Sequence, residues 1–158
     1  MMTSDLQIVA VHTDEQYQKV RELILEYAAS RSFDAALAKI FTELDQLKDY
    51  YTLILLAHYA QEPAGCVAIQ PLEADICEMK RLYVKPQFRK AGIGRLLVEQ
   101  LIAEAGNCGF QRMRLDTHPQ MLSAHKLYHS FGFQEIERYN QNPIPGIRFF
   151  ELQLGRGV

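Results

Sequence analysis

The chain has 158 residues, 48% hydrophobic and 23% charged, which amounts to about one ordinary globular domain with material for a sizeable core. A formal net charge of −2 gives no basic field for a nucleic acid, and no apolar run approaches the roughly 18 residues a membrane span needs. Cys66, Cys77 and Cys108 are odd in number and widely spaced, so neither a disulfide framework nor a metal site is expected.

The opening stretch MMTSDLQIVAVHTDE lacks the basic flank and apolar run of a signal peptide, and a cytoplasmic location is expected. Leu6–Val11 alternates like a strand, and Thr13-x-x-Gln16 reads as a capping box that opens a helix. Tyr17, Val20, Ile24 and Tyr27 recur at helical spacing to about Ala29. A second helix is predicted from near Ser32, because Leu37, Ile40, Phe41, Leu44 and Leu47 keep one apolar face. Tyr51–Tyr59 reads as a buried strand, Gln61–Gly65 as a turn and Cys66–Gln70 as the antiparallel return. Ile76–Val84 is a further strand, ended by Lys85-Pro86. From Ile93 the residues Leu96, Leu97, Leu101, Ile102 and Ala105 form a helical stripe closed by Gly106 and Gly109. Arg112–Thr117 is predicted as a strand and Pro119–Ser130 as a helix stopped by Gly132. Phe133–Tyr139 and Ile147–Leu154 are closing strands around the loop Asn140–Gly146. The order β-α-α-β-β-β-α-β-α-β-β describes one α/β domain over residues 1–158, a mixed sheet with helices packed on it.

The passage CEMKRLYVKPQFRKAGIGRLLVEQLI, Cys77–Ile102, carries the sharpest chemical signal. A strand runs into a loop with Arg89, Lys90, Gly92 and Gly94, and a helix follows at once. That arrangement suits a pyrophosphate: glycines let the backbone approach, amides point outward, and the helix N-terminus adds partial positive charge. Arg89 and Lys90 supply formal charge at the rim. A P-loop is excluded because Arg95-Leu96 follow Gly94 where Lys-Ser/Thr would be required. A dinucleotide fingerprint is disfavoured by Leu97 and by the mid-chain position of the strand. The bland alternative is a strand–helix turn that needs glycine only to turn.

Arg89-x-x-Gly92-x-Gly94, preceded by Leu82-Tyr83-Val84, resembles the acyl-CoA motif of the GNAT superfamily of N-acetyltransferases. Ala124, Leu127-Tyr128 and Phe131-Gly132-Phe133 resemble the superfamily's later motif at the expected distance. The resemblance implies a mixed, largely antiparallel sheet flanked by helices, with a splayed central strand pair. It also implies an acetyl-CoA-dependent transfer of an acetyl group to a primary amine. Leu82, Tyr83 and Val84 match the strand whose backbone holds the pantetheine arm in relatives. Arg89, Lys90, Ala91, Gly92, Ile93, Gly94 and Arg95 match the loop and helix start that bind the pyrophosphate, mostly through backbone amides.

Two proton transfers are required: the acceptor ammonium loses one, and the departing thiolate gains one. Tyr128 matches the tyrosine that many relatives place beside the CoA sulfur and is the candidate general acid, with core packing as its alternative. Glu78, six residues before Val84, is the candidate base; in a regular strand it shares a face with Lys80, Leu82 and Val84. Its alternatives are an ion pair with Lys80, Arg81 or a neighbouring strand, and a water chain in place of any single base. One departure from the family is Met121, where several relatives carry an asparagine that contacts CoA. No histidine is nominated, although His118 and His125 fall near the expected site, and Cys77 reads as a buried strand thiol. The resemblance puts the acceptor near Tyr27–Phe33 and Tyr139–Gly146, with Arg31, Tyr139, Asn140, Asn142 and Arg148 available for polar recognition or simply solvated. A small-molecule or amino-acid-like amine is the expected partner, with a homodimer left open. A protein N-terminus or lysine as acceptor, and a non-catalytic acyl-CoA-binding module, are the rival readings.

Overall fold

A computed structural model of the chain describes residues 5–31 and 40–155. The strands are Leu6–Ala10 (β1), Leu53–Tyr59 (β2), Glu62–Glu73 (β3), Ile76–Val84 (β4), Arg112–Thr117 (β5), Gln134–Ile136 (β6) and Arg148–Gln153 (β7). The helices are Asp14–Arg31 (α1), Leu47–Tyr50 (α2), Ile93–Asn107 (α3) and Leu122–Ser130 (α4), and residues 40–44 are also helical. One mixed seven-stranded sheet runs in the order β1-β2-β3-β4-β5-β7-β6 and is flanked by the helices. β1–β2, β2–β3, β5–β7 and β6–β7 are antiparallel, and β4–β5 is parallel. The parallel register covers only Ile76–Glu78 against Arg112–Arg114, although β4 continues to Val84. The expected start of a second helix near Ser32, and the side chain of Arg31, lie outside the described residues.

Two compact units divide the chain, one containing residues up to Gln70 together with Lys80–Leu101, the other Pro71–Met79 together with the chain from Ile102. In the first unit α1 starts at its predicted cap: Gln16 N–H donates to Thr13 Oγ1 at 3.1 Å, and Thr13 N–H donates to Gln16 Oε1 at 3.0 Å. Val20, Leu23, Ile24 and Ala28 on α1 join Ile40, Leu44 and Leu47, and pack with Ile54, Leu56, Cys66, Ala68 and Tyr83 of the sheet. Alternate residues Leu55, Ala57, Val67 and Ile69 are equally buried, so β2 and β3 are covered on both faces. Ile93, Leu97, Val98 and Leu101 are the fully buried stripe of α3.

Several boundaries differ from the sequence reading. The hairpin turn is Ala60-Gln61, both at positive φ, and Glu62–Gly65 already belong to β3. Gly65 is needed there for another reason: a Cβ would stand 2.6 Å from the Tyr83 carbonyl oxygen and 3.3 Å from Val84 Cα. Gly106 lies inside α3, so only Gly109, at φ +93, acts at its end. β4 has the predicted bounds but not the predicted regularity. Arg81, inside it, has φ +61, a left-handed conformation that breaks strand alternation, so Glu78 does not define a face shared with Leu82 and Val84.

A buried ion pair accompanies that kink. Arg81 donates from Nε to Glu43 Oε2 at 2.8 Å and from Nη2 to Glu43 Oε1 at 2.7 Å, while the Tyr51 hydroxyl donates to Glu43 Oε2 at 2.5 Å. Glu43 and Tyr51 are 3% and 5% exposed. Burial, with Glu43 close by, pushes the Tyr51 phenol far above its ordinary range, so it remains a donor.

In the second unit α4 begins at Leu122, not at Pro119. The preceding residues make a turn first: Gln120 N–H donates to His118 Nδ1 at 3.1 Å, and Met121 N–H donates to the His118 carbonyl at 3.1 Å. The strand expected over Phe133–Tyr139 is only Gln134–Ile136. Beyond it Asn140 Oδ1 accepts Asn142 N–H and Asn142 Oδ1 accepts Ile144 N–H, each at 3.0 Å. These consecutive side-chain turns draw the backbone away from a ladder. Phe133, Phe149, Phe150, Met113 and Leu115 form the buried apolar centre here. Among the described residues no helix is long and apolar enough to cross a membrane, and no group of three or more His, Cys, Asp or Glu is placed to hold a metal.

Removing one partner of the Glu43–Arg81 pair leaves a buried charge uncompensated, so Glu43→Ala is expected to cost about 3–5 kcal/mol. In a chain of this size that lowers the melting temperature by roughly 6–20 °C in a thermal scan. A variant that melts with the parent would mean that the pair carries no such constraint.

Candidate functional site

In the first unit the end of β4 leads into a 3-10 turn, Pro86–Ala91, and then into α3. Lys85-Pro86 sets the turn, because proline fixes φ and suits the first helical positions. The turn closes at Gly92, whose φ of +80 is left-handed, and the Gly92 carbonyl accepts the Leu96 amide at 3.2 Å to open α3. Nothing lies within 4 Å of a Cβ built on Gly92, so its requirement for glycine is conformational. Gly94 differs, with no left-handed φ and only Val84 Cγ2 at 3.8 Å from a built Cβ. The chain itself would therefore accommodate a side chain at Gly94.

This corner has the parts a pyrophosphate needs. The first turn of a helix has amides without intrahelical acceptors and carries the positive end of its dipole. Gly92, Lys90, Ala91 and Arg95 are exposed, whereas Ile93 is fully buried and packs inward. Arg89 has a further role in the loop. Its Nε donates to the Val84 carbonyl at 2.9 Å, and its guanidinium lies 5.8 Å from the Tyr83 ring centre. The Val84 carbonyl thus has a partner within the protein.

The three strand residues present unequal surfaces. Leu82 and Val84 are half-buried, and Tyr83 is 6% exposed with its ring edge-on to Tyr27 at 5.7 Å. The Tyr83 hydroxyl donates to Glu26 Oε2 at 2.6 Å. Burial, then the Glu26 carboxylate, raises its phenol to about 12. Tyr83 is therefore tied to α1 through its side chain, leaving its backbone as its means of contacting a ligand.

The second unit holds both proton-transfer candidates. Glu78 is 5% exposed, and its Oε2 accepts the Tyr139 hydroxyl at 2.5 Å and Asn140 Nδ2 at 3.5 Å. The same Asn140 nitrogen donates to Asp116 Oδ2 at 2.7 Å, and Asn142 Nδ2 donates to that oxygen at 3.3 Å. Tyr139 is packed edge-on against Phe149 at 5.2 Å, and the Arg114 guanidinium lies 5.3 Å from its ring centre. Burial, followed by the Glu78 charge and hydrogen bond, pushes the Tyr139 phenol far above its ordinary range, so it stays a donor. Of the partners considered as alternatives for Glu78, Arg81 is engaged by Glu43, while Tyr139 and Asn140 bind the Glu78 carboxylate. Tyr128 is 6% exposed, with Phe133 at 5.7 Å and Phe150 at 6.2 Å between ring centres. Met121 caps the start of α4, and its carbonyl accepts the His125 amide at 3.1 Å.

Arg148, offered by the sequence for recognition, and His125, which it did not nominate, are committed to internal contacts. Arg148 pairs with Glu135 through Nε at 2.9 Å and Nη2 at 2.7 Å, and its Nη1 donates to His125 Nδ1 at 3.1 Å. His125, 4% exposed, therefore accepts at Nδ1 and donates from Nε2 to the His118 carbonyl at 3.1 Å. Burial and the Arg148 charge lower its pKa, which keeps it neutral. Burial raises the Cys77 thiol to about 12, so it is no ready nucleophile. Asp116, Glu43 and Glu26 were missed in the sequence. Glu43 had a readable signal, since it sits three residues after Ile40 and four before Leu47, on the apolar face of a helix.

Residues 10–133 match the model of the Acetyltransferase (GNAT) family. An uncharacterised N-acetyltransferase of Schizosaccharomyces pombe is 34% identical over 162 residues, covering 99% of each chain. N-acetylaspartate synthetase of Danio rerio is 29% identical over 84% of this chain and 46% of its own length. The [ribosomal protein bS18]-alanine N-acetyltransferase of Salmonella typhimurium is 32% identical over 48% of this chain and 51% of its own. Among solved structures, an acetyltransferase of the GNAT family from Staphylococcus aureus superposes with a TM-score of 0.77 at 20% identity, covering 95% of this chain and 99% of that one. A Salmonella typhimurium protein solved with its cofactor acetyl-CoA gives 0.71 at 21% identity, covering 97% and 96%. The chain belongs to the acetyltransferase (GNAT) family and is an acyl-CoA-dependent N-acetyltransferase whose acyl donor is acetyl-CoA.

Proposed function

We propose that this enzyme acetylates the primary amine of a small, amino-acid-like acceptor in the cytoplasm, and that the whole chain serves as one acetyltransferase domain. The observation that carries the acceptor class is the match to N-acetylaspartate synthetase, a protein named for an acetylated amino acid, over 84% of this chain. The sequence match to the [ribosomal protein bS18]-alanine N-acetyltransferase is shorter, 48% of this chain, and a protein acceptor is the second reading. The S. pombe relative, aligned over 99% of both chains, supports reading the chain as one functional unit.

In this reading the amides from Arg89 to Arg95 receive the donor's pyrophosphate, and the backbone of Leu82, Tyr83 and Val84 receives the pantetheine arm. Lys90 and Arg95, exposed at the loop, add charge near the phosphates. The acceptor nitrogen attacks the thioester carbonyl, a C–N bond forms, and the C–S bond breaks to release CoA. Glu78 takes the proton lost by the acceptor ammonium, directly or through water, and Tyr128 gives its phenolic proton to the departing thiolate. A buried carboxylate hydrogen-bonded by Tyr139 and Asn140 is a fixed acceptor for a proton, which supports the role of Glu78.

Assay of free CoA release with amino acids, other small amines and N-terminal peptides is expected to show turnover with amino acids or related amines. Activity confined to peptides would replace this acceptor class with a protein end. Gly94→Val is expected to keep the parent melting temperature within a few degrees, because the chain leaves room there, and to weaken acetyl-CoA about tenfold or more. Parent-like affinity would reduce the loop to a turn. Tyr128→Phe keeps the ring between Phe133 and Phe150 and removes only the hydroxyl. Turnover is expected to fall about 10²-fold with acetyl-CoA affinity little changed. Full turnover would leave Tyr128 as a packing residue.

A further inference from the structure

The stretch that receives the pantetheine arm in the reading above follows directly on a residue in an unfavourable conformation. Arg81 sits at φ +61 inside β4 without being glycine, asparagine or aspartate, the residues that tolerate this region. Such strain persists only where the surroundings over-determine it. Here the surroundings are visible. Glu43 receives two hydrogen bonds from the guanidinium, at 2.8 and 2.7 Å, and is itself held by the Tyr51 hydroxyl. The Cys66 thiol donates to the Arg81 carbonyl at 3.5 Å. The residue is thus fixed at its side chain and at its backbone.

A left-handed residue redirects the peptide groups that follow it, so the conformation of Arg81 governs which backbone groups of Leu82, Tyr83 and Val84 face a ligand. Other contacts secure the same stretch downstream: Tyr83 to Glu26, Arg89 to the Val84 carbonyl, and the Lys85 amide to the Ala64 carbonyl at 2.8 Å. We infer that Glu43, Tyr51 and Arg81 form a positioning cluster that holds the acyl-CoA strand in its ligand-receiving form by pinning Arg81 in the left-handed conformation. The inference rests on the reading that Leu82–Val84 and the Gly94 loop receive the donor. It assigns the cluster a role in donor affinity that an ion pair serving only stability would not have.

A pair of double variants differing by one Cβ tests it. In Glu43→Gln/Arg81→Ala the charges leave together and a Cβ remains at the left-handed position. In Glu43→Gln/Arg81→Gly the same charges leave without it. Calorimetric titration with acetyl-CoA is expected to show the alanine variant about five- to thirtyfold weaker than the parent, as the strand spends less time in the competent form. The glycine variant is expected to bind within about threefold of the parent. Both variants lose the same ion pair, so a split in affinity between them separates positioning from stability. Alanine-variant affinity equal to the parent's overturns the inference, as does a glycine variant as weak as the alanine one. If the alanine variant does not fold, the glycine variant decides: parent-like binding sustains the inference and weak binding overturns it. Gly94→Val is titrated alongside. Loss of binding there with no effect of the alanine variant refutes the cluster's role alone; no effect of Gly94→Val refutes the donor-loop reading, and the cluster's role with it.

Discussion

The constraint on which the donor strand depends is the buried pairing of Arg81 with Glu43. An ion pair taken out of water contributes little net stability, because desolvation offsets most of the attraction. Its effect is geometric. A guanidinium bound through two nitrogens to one carboxylate fixes direction as well as distance, and here it fixes a residue inside β4 in a left-handed turn. Glu78 precedes that turn in the strand and Leu82–Val84 follow it, so the strand's alternation is broken between the two stretches. Arg81 is coupled in turn to Tyr51 and Cys66, which tie the helical residues 40–44 and strand β3 to the same point.

How much of this could be read in the sequence follows from the range of the interactions involved. The bounds of β4 and β5 and the capping box of α1 were legible because local pattern determines them: alternating or continuous apolar residues, a proline stop, a Thr-x-x-Gln spacing. The turn between β4 and α3 was legible because its glycines and the helix after it lie within a few residues of each other. The kink at Arg81 was not, since nothing within β4 calls for it; its partner is 38 residues away in sequence. The early end of β6 escaped for a different reason. Just beyond it the side chains of Asn140 and Asn142 take the backbone into turns, which a strand reading ending on Tyr139 does not anticipate.

The second unit illustrates how buried carboxylates can share neutral donors. Glu78 is met by a phenol and an amide, and Asn140 is shared between Glu78 and Asp116. The amide nitrogen has two hydrogens, which allows it to serve both carboxylates. Neutral donors of this kind fix a carboxylate in place by direction and distance. Arg114 nearby is paired with Glu151 at 2.8 Å and lies by the Tyr139 ring. The sequence left Tyr139 and Asn140 available for polar recognition or simply solvated; their contacts bind them to Glu78.

Glycines around the donor strand show why residue type alone does not identify a ligand contact. Gly92 is required by its own backbone, at φ +80, and would be required with or without a ligand. Gly65 is required by its neighbour, since a Cβ there would press on the Tyr83 carbonyl at 2.6 Å. Only Gly94 has neither reason, because its φ is ordinary and the nearest protein atom to a built Cβ is 3.8 Å away. A glycine that the chain does not need, at the start of a helix where amides collect, suits the close approach of a phosphate in the proposed donor site. Gly94 therefore carries more information about the ligand than Gly92, although the two are indistinguishable as letters in the motif. Arg89 follows the same logic in reverse: it resembles a phosphate ligand by charge and position, yet its Nε is bound to the Val84 carbonyl, where it joins the loop to the strand that the loop serves.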